Sequence, residues 1–80
     1  MDRRSHRRSA REILARNMRM LRAAQGVSQE ALSHGSGMNR TYVSSVERCE
    51  RNVSIDNIEK IAKALKIEAW KLLKPDLLDS

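Results

Sequence analysis

An 80-residue chain that is 40% hydrophobic and 32% charged, with a formal net charge of +6 at pH 7, has room for one domain and enough apolar residues to fold it. Its single cysteine, Cys49, excludes an internal disulfide framework and a cysteine zinc site, and no apolar run approaches the roughly 18 residues of a membrane span. Phe is absent, and Tyr42 and Trp70 are the only aromatics, so the core must be aliphatic and small enough to gain from dimerisation.

In chain order, residues 1–8 form a basic arm, expected to be flexible, ahead of a folded domain over residues 9–80. Residues 1–22 carry eight Arg against Asp2 and Glu12, which accounts for the whole net charge, while acids and bases cancel over the rest. Such an arm suits a polyanion. Met1 is the only apolar residue before Ala10, so the arm lacks the bulky face of a membrane-surface helix and the apolar stretch of a signal peptide. A reduced, cytoplasmic protein is expected.

From Ser9 the pattern turns helical. Ile13, Leu14, Met18, Leu21 and Ala24 recur at spacings of three and four, Ser9 and Glu12 stand at capping-box spacing, and Gly26 supplies a left-handed stop. The first helix should cover about 10–25. Ser28 caps a second helix at about 29–35, with Ala31 and Leu32 inward and Gly35-Ser36-Gly37 as its break. Asn39 caps a third at about 40–48, burying Val43 and Val46. Ser54 caps a fourth at about 55–65, whose inner face reads Ile55, Ile58, Ile61, Ala62 and Leu65. Glu68 to Leu73 make a short fifth helix before Pro75 stops it. No stretch alternates with period two. The expected fold is all-α with five helices.

The second and third helices are short, joined by a Gly-containing turn, and preceded by a basic helix. That is the layout of a helix-turn-helix, whose second helix enters the DNA major groove. With Val43 and Val46 inward, Arg40, Thr41, Ser44 and Ser45 face outward, and all four can hydrogen-bond base edges or phosphates. The bland alternative for these four is an ordinary solvated helix face.

Three strings together, Val27-Ser28-Gln29-Glu30-Ala31-Leu32, Gly37-Met38-Asn39-Arg40-Thr41-Tyr42-Val43-Ser44 and Val46-Glu47-Arg48, resemble the lambda-repressor-like DNA-binding domains over about residues 13–73. Within that family, Arg40 to Ser44 followed by Arg51-Asn52-Val53-Ser54 is most similar to the controller proteins of restriction–modification systems. The resemblance implies base reading by Arg40, Thr41 and Ser45, with Ser44 and Tyr42 nearer the backbone. It implies phosphate contacts by Ser28, Gln29, Asn39, Tyr42, Arg48, Arg51 and Asn52, and a buried ion pair between Arg22 and Glu47. Gln29 would also brace the first residue of the recognition helix. Two positions depart from the pattern. Cys49 stands where the family has a glycine, which implies an altered or mildly strained turn, and Ser33 puts a hydroxyl where Ala is usual.

Other features carry less. His6 and His34 are too far apart for a metal site, and no catalytic arrangement or cofactor-binding motif stands out, so neither enzyme activity nor a cofactor is expected. Cys49, between Arg48 and Arg51, reads as a tolerated thiol or, alternatively, a redox switch. Met18, Met20 and Met38 read as core filler. Trp70, Leu72, Leu73, Leu77 and Leu78 are more apolar surface than so small a core can absorb, which points to a dimer interface.

The sequence therefore predicts a homodimeric, DNA-binding transcriptional regulator. The resemblance implies an autoregulatory controller on a pseudo-palindromic operator, in contact with RNA polymerase where it activates. The alternatives are a phage-type repressor or antitoxin, or a helical protein-interaction adaptor that binds no DNA.

Overall fold

The helices of this chain are bounded by the same few capping devices, used repeatedly. The computed structural model describes residues 8–77, and it holds four α-helices, α1 (Ala10–Gln25), α2 (Gln29–Ser36), α3 (Arg40–Glu47) and α4 (Ile55–Ala64), followed by a 3-10 helix at Ala69–Leu73. No strand occurs among the described residues. All but Arg8 of the basic arm, together with Leu78, lies outside them.

Each α-helix starts on a side-chain cap in extended backbone. Ser9 accepts from the Glu12 amide at 3.2 Å while its own amide donates to Glu12 Oε1 at 2.8 Å, a complete capping box. Ser28, Asn39 and Ser54 accept from the amides of Ala31, Tyr42 and Asn57. The four C-termini also share one closure. The residue after the helix or its last turn is left-handed, and the following amide reaches back five residues. At α1 this pairs Gly26 with Val27 N–H donating to Arg22 O at 2.9 Å; at α2 it pairs Gly37 with Met38 N–H donating to Ser33 O at 3.1 Å. At α3 and α4 the left-handed residues are Cys49 (φ 64°) and Lys66 (φ 60°), where a Cβ makes that conformation unfavourable. The cysteine at 49, in place of the family's glycine, therefore leaves the turn's geometry intact and adds local strain.

The core collects Leu14, Met18 and Leu21 of α1, Leu32 of α2, Val43 and Val46 of α3, and Ile61, Ala62 and Leu65 from α4 and its end, closed by Leu72. α1 packs on α3 and on the 3-10 helix, and α2 packs on α3 and α4. The approach of α2 to α4 is close, since a Cβ on Gly35 would lie 3.3 Å from Ala64 Cβ. Asn17, 1% exposed, sits among these apolar residues because its amide donates to the carbonyls of Leu72 (2.9 Å) and Lys74 (3.0 Å), pinning the C-terminal segment to α1.

Several expectations need correction. α2 runs through Gly35 to Ser36, and Gly37 alone ends it. Its inward stripe is Leu32, Ser33 and Ser36, leaving Ala31 exposed. The Ser33 hydroxyl is satisfied by donating to Glu30 O at 2.8 Å. Ile55 is 74% exposed, because α4's first residue projects past the end of the core. The fifth element is not an α-helix. Only three-residue bonds form there, from Lys71 N–H to Glu68 O and Lys74 N–H to Lys71 O, since five residues ahead of Pro75 are too few for a helical ladder. Leu72 is fully buried in the core and is therefore no part of a surface.

Candidate nucleic-acid interface

The outer face of α3 is where the helix-turn-helix reading places its chemistry. Arg40 and Thr41, in the first turn, are exposed, and Ser44 one turn on is half-buried. With Arg48 they line a shallow hollow of about 180 Å³. Arg48 bonds Ser44 Oγ and forks onto the Glu50 carboxylate, Nε to Oε2 and Nη2 to Oε1, each at 3.1 Å. That pairing pushes Arg48 up from its ordinary pKa and holds Glu50 below 4.5.

Ser45 does not share this face. It is 4% exposed, because the left-handed turn at Cys49 folds the chain back over it: Glu50 N–H donates to Ser45 O at 2.9 Å and Arg51 Nε to Ser45 Oγ at 3.0 Å. A base-reading role for Ser45 is incompatible with that burial. Helical periodicity misses it because the cover comes from outside the helix.

Behind the outer face, Glu47 is the anchor. Its carboxylate, 2% exposed, receives Arg22 Nε at 2.6 Å, Arg22 Nη2 at 2.7 Å and Gln29 Nε2 at 3.0 Å, and its carbonyl accepts from Arg19 Nη1 at 2.6 Å. Glu47's hydrogen bonds raise the Arg22 pKa from its ordinary value against the opposing effect of burial. Arg22 also donates to Val27 O at 3.1 Å, so one guanidinium ties α1, the α1–α2 turn and α3 together. Gln29 thus braces the last residue of the recognition helix, where the first was expected. Arg19 is a contributor that sequence reasoning missed, although its place one turn before Arg22 on the same basic face was a usable signal.

The remaining phosphate candidates fall into two groups. Ser28 and Asn39 are both exposed N-caps, at the N-termini of α2 and α3, where free amides and the helix dipole favour anions. Tyr42, Arg51 and Asn52 sit on the other side of α3. The Arg51 guanidinium lies 5.6 Å from the Tyr42 ring centroid, Tyr42 Oη accepts from Asn57 Nδ2 at 3.1 Å, and Asn52 Oδ1 accepts from Arg11. Asn57 and Arg11 carry no sequence signal for these contacts.

Away from α3, Trp70 is 60% and Leu73 38% exposed, while Leu77 packs against the core. Lys71 Nζ covers the Trp70 ring at 5.6 Å, and the indole N–H donates to Glu68. Among the described residues no three metal-ligating side chains cluster, and no helix is long and apolar enough to cross a membrane.

Residues 18–69, well over half of the chain, match the helix-turn-helix family, and the chain belongs to that family. It is a DNA-binding transcriptional regulator, and this family is not enzymatic. Among its relatives, control protein C.SmaI of Serratia marcescens is 49% identical over 63 residues, 79% of this chain and 75% of that protein. A hypothetical transcription factor of Neisseria meningitidis serogroup B is 51% identical over 65 residues, 81% of this chain but only 61% of its own length, so this chain spans less than two thirds of it. The crystal structure of the restriction–modification controller protein C.AhdI from Aeromonas hydrophila superposes with a TM-score of 0.75 at 48% identity, covering 78% of this chain and 94% of that one.

Proposed function

We propose that this regulator controls a restriction–modification system, binding a pseudo-palindromic operator as a homodimer with α3 of each protomer in the major groove. The observation that carries the reading is the outer Arg40–Thr41–Ser44 face on a helix whose far end is locked by Glu47 to Arg22, Gln29 and Arg19. A helix held by three side chains from two neighbouring helices presents its own side chains in a preset geometry, as base reading requires. Arg40 suits the two acceptors of guanine, and the Thr41 methyl suits thymine. Ser28, Gln29, Asn39, Tyr42, Arg48, Arg51 and Asn52 supply phosphate contacts, and the basic arm adds attraction that does not depend on sequence. Trp70 and Leu73, large apolar side chains left in solvent, support a dimer surface at the C-terminal end, with Leu77 and Leu78 beside them in sequence. Two-fold symmetry would then set half-sites about 34 Å apart. The relatives named as control proteins support a controller role, and the reading extends it to autoregulation in a cytoplasmic setting, with activation through RNA polymerase at low operator occupancy and repression at high occupancy.

Selection of bound duplexes from a random pool tests this. The expected product is an inverted repeat, and Arg40→Ala with Thr41→Ala should abolish the preference while the circular dichroism spectrum is unchanged. A wild-type protein that enriches no sequence would overturn the reading.

A further inference from the structure

The Ser45 hydroxyl, buried away from the outer face of α3, has an arrangement of its own. Its one proton is donated to Tyr42 O at 2.8 Å, which leaves a lone pair to accept from Arg51 Nε at 3.0 Å. The same guanidinium stands over the Tyr42 ring, within the range of a cation–π contact. The ring is held in turn by Asn57 of α4, whose amide donates to the phenol oxygen. Arg51 itself lies in the exposed segment between Cys49 and Ser54, which no helix constrains, yet two α3 side chains grip the inner edge and the face of its guanidinium. One of its five donors is spent on Ser45, and the two terminal amino groups are the fork that suits a phosphate.

We propose that Ser45, Tyr42 and Asn57 form a bracket that presets Arg51 for a DNA phosphate, making Ser45 and Asn57 positioning residues that never touch DNA. This rests on the operator-binding reading above and assigns Ser45 a role other than base recognition. Preordering one long side chain before binding removes an entropic cost otherwise met on the DNA. Breaking the bracket should therefore weaken binding by about three- to tenfold. Because the contact is to phosphate, selected and random duplexes should lose affinity to a similar degree.

The test is a double-mutant cycle on the full chain with the selected duplex, read by fluorescence anisotropy. Ser45→Ala should cost about three- to tenfold in the wild-type background and nothing further in Arg51→Ala. Arg51→Ala should lower the salt slope by about one phosphate. Without DNA, the Arg51 Nε–H resonance should be protected from solvent exchange in the wild type and lose that protection in both Ser45→Ala and Asn57→Leu. An Arg51 Nε–H that exchanges freely in the wild type, or a Ser45→Ala loss of equal size in the Arg51→Ala background, overturns the bracket and leaves operator binding standing. A wild-type protein with no duplex preference overturns both.

Discussion

Arg22 and Glu47 meet in a two-point ion pair across the α1–α3 contact, Nε to Oε2 at 2.6 Å and Nη2 to Oε1 at 2.7 Å, with 18% and 2% of their side chains exposed. The pair fixes an orientation more than it supplies net stability, because two charges leave water to form it. Its position gives it leverage. Glu47 is the last residue of α3, and Arg22 also grips the turn that leads into α2.

Glu47→Ala should therefore cost about 3 kcal/mol, leaving Arg22 and Gln29 without their acceptor, and should cripple operator binding by more than the loss of folded protein explains. Urea denaturation and anisotropy under conditions where the variant stays folded check both halves. Unchanged melting temperature with full operator affinity would refute the role.

The non-glycine left-handed caps predict a gain. Cys49→Gly and Lys66→Gly remove a Cβ from φ values near 60° and should each stabilise the fold by about 1 kcal/mol, less the extra entropy glycine adds to the unfolded chain. For a domain this size that is a rise in melting temperature of roughly 4–8 °C per kcal/mol, measurable by calorimetry. Gly26→Ala should move the other way, since φ there is 68° and an added Cβ would meet nothing within 4 Å to compensate.

The Arg48–Glu50 fork predicts a pH and salt dependence. Glu50 has a depressed folded pKa, so its contribution to stability is present above the ordinary carboxylate value of 4.5 and is lost as pH falls through the lowered one. Both side chains are exposed, so the effect is small and should fade in high salt. Glu50→Gln should be slightly less stable than wild type at pH 7 and equal to it once pH falls below the lowered carboxylate value. On DNA the sign reverses. Glu50 competes with phosphate for Arg48, so Glu50→Gln should bind all duplexes more tightly, by at most about fivefold. Equal affinities for the two proteins would show that Arg48 meets no phosphate.

The arm predicts a change in affinity without a change in site. Deleting residues 2–8 removes Arg3, Arg4, Arg7 and Arg8, and should weaken selected and random duplexes alike. The slope of log affinity against log salt should fall by up to about 0.9 for each phosphate that the deleted arginines neutralise. Repeating the duplex selection with the truncated protein should return the same site. A shifted site would mean that the arm reads bases.

Much of this was legible locally. The caps at Ser9, Ser28, Asn39 and Ser54, the stop at Gly26, and the apolar stripe of Leu14, Met18 and Leu21 are properties of neighbouring residues, and local backbone geometry realises them directly. The Arg22–Glu47 pair was reached by resemblance rather than by spacing, since nothing between residues 22 and 47 announces it. Ile55, Ala31 and Leu72 were misplaced because each lies at an element end or beside a crossing, where helical period alone does not say which side another element covers.

The amino-acid order by itself determined an all-α chain, a helix-turn-helix at about residues 29–48 and a net charge confined to the first 22 residues, because capping, periodicity and charge act over a few residues at a time. Only the tertiary structure decided that Gln29 and Arg19 converge on Glu47, and that Ser45 turns away from the recognition face to hold Arg51. Those interactions join residues from different elements, and their geometry exists only once the chain has folded back on itself.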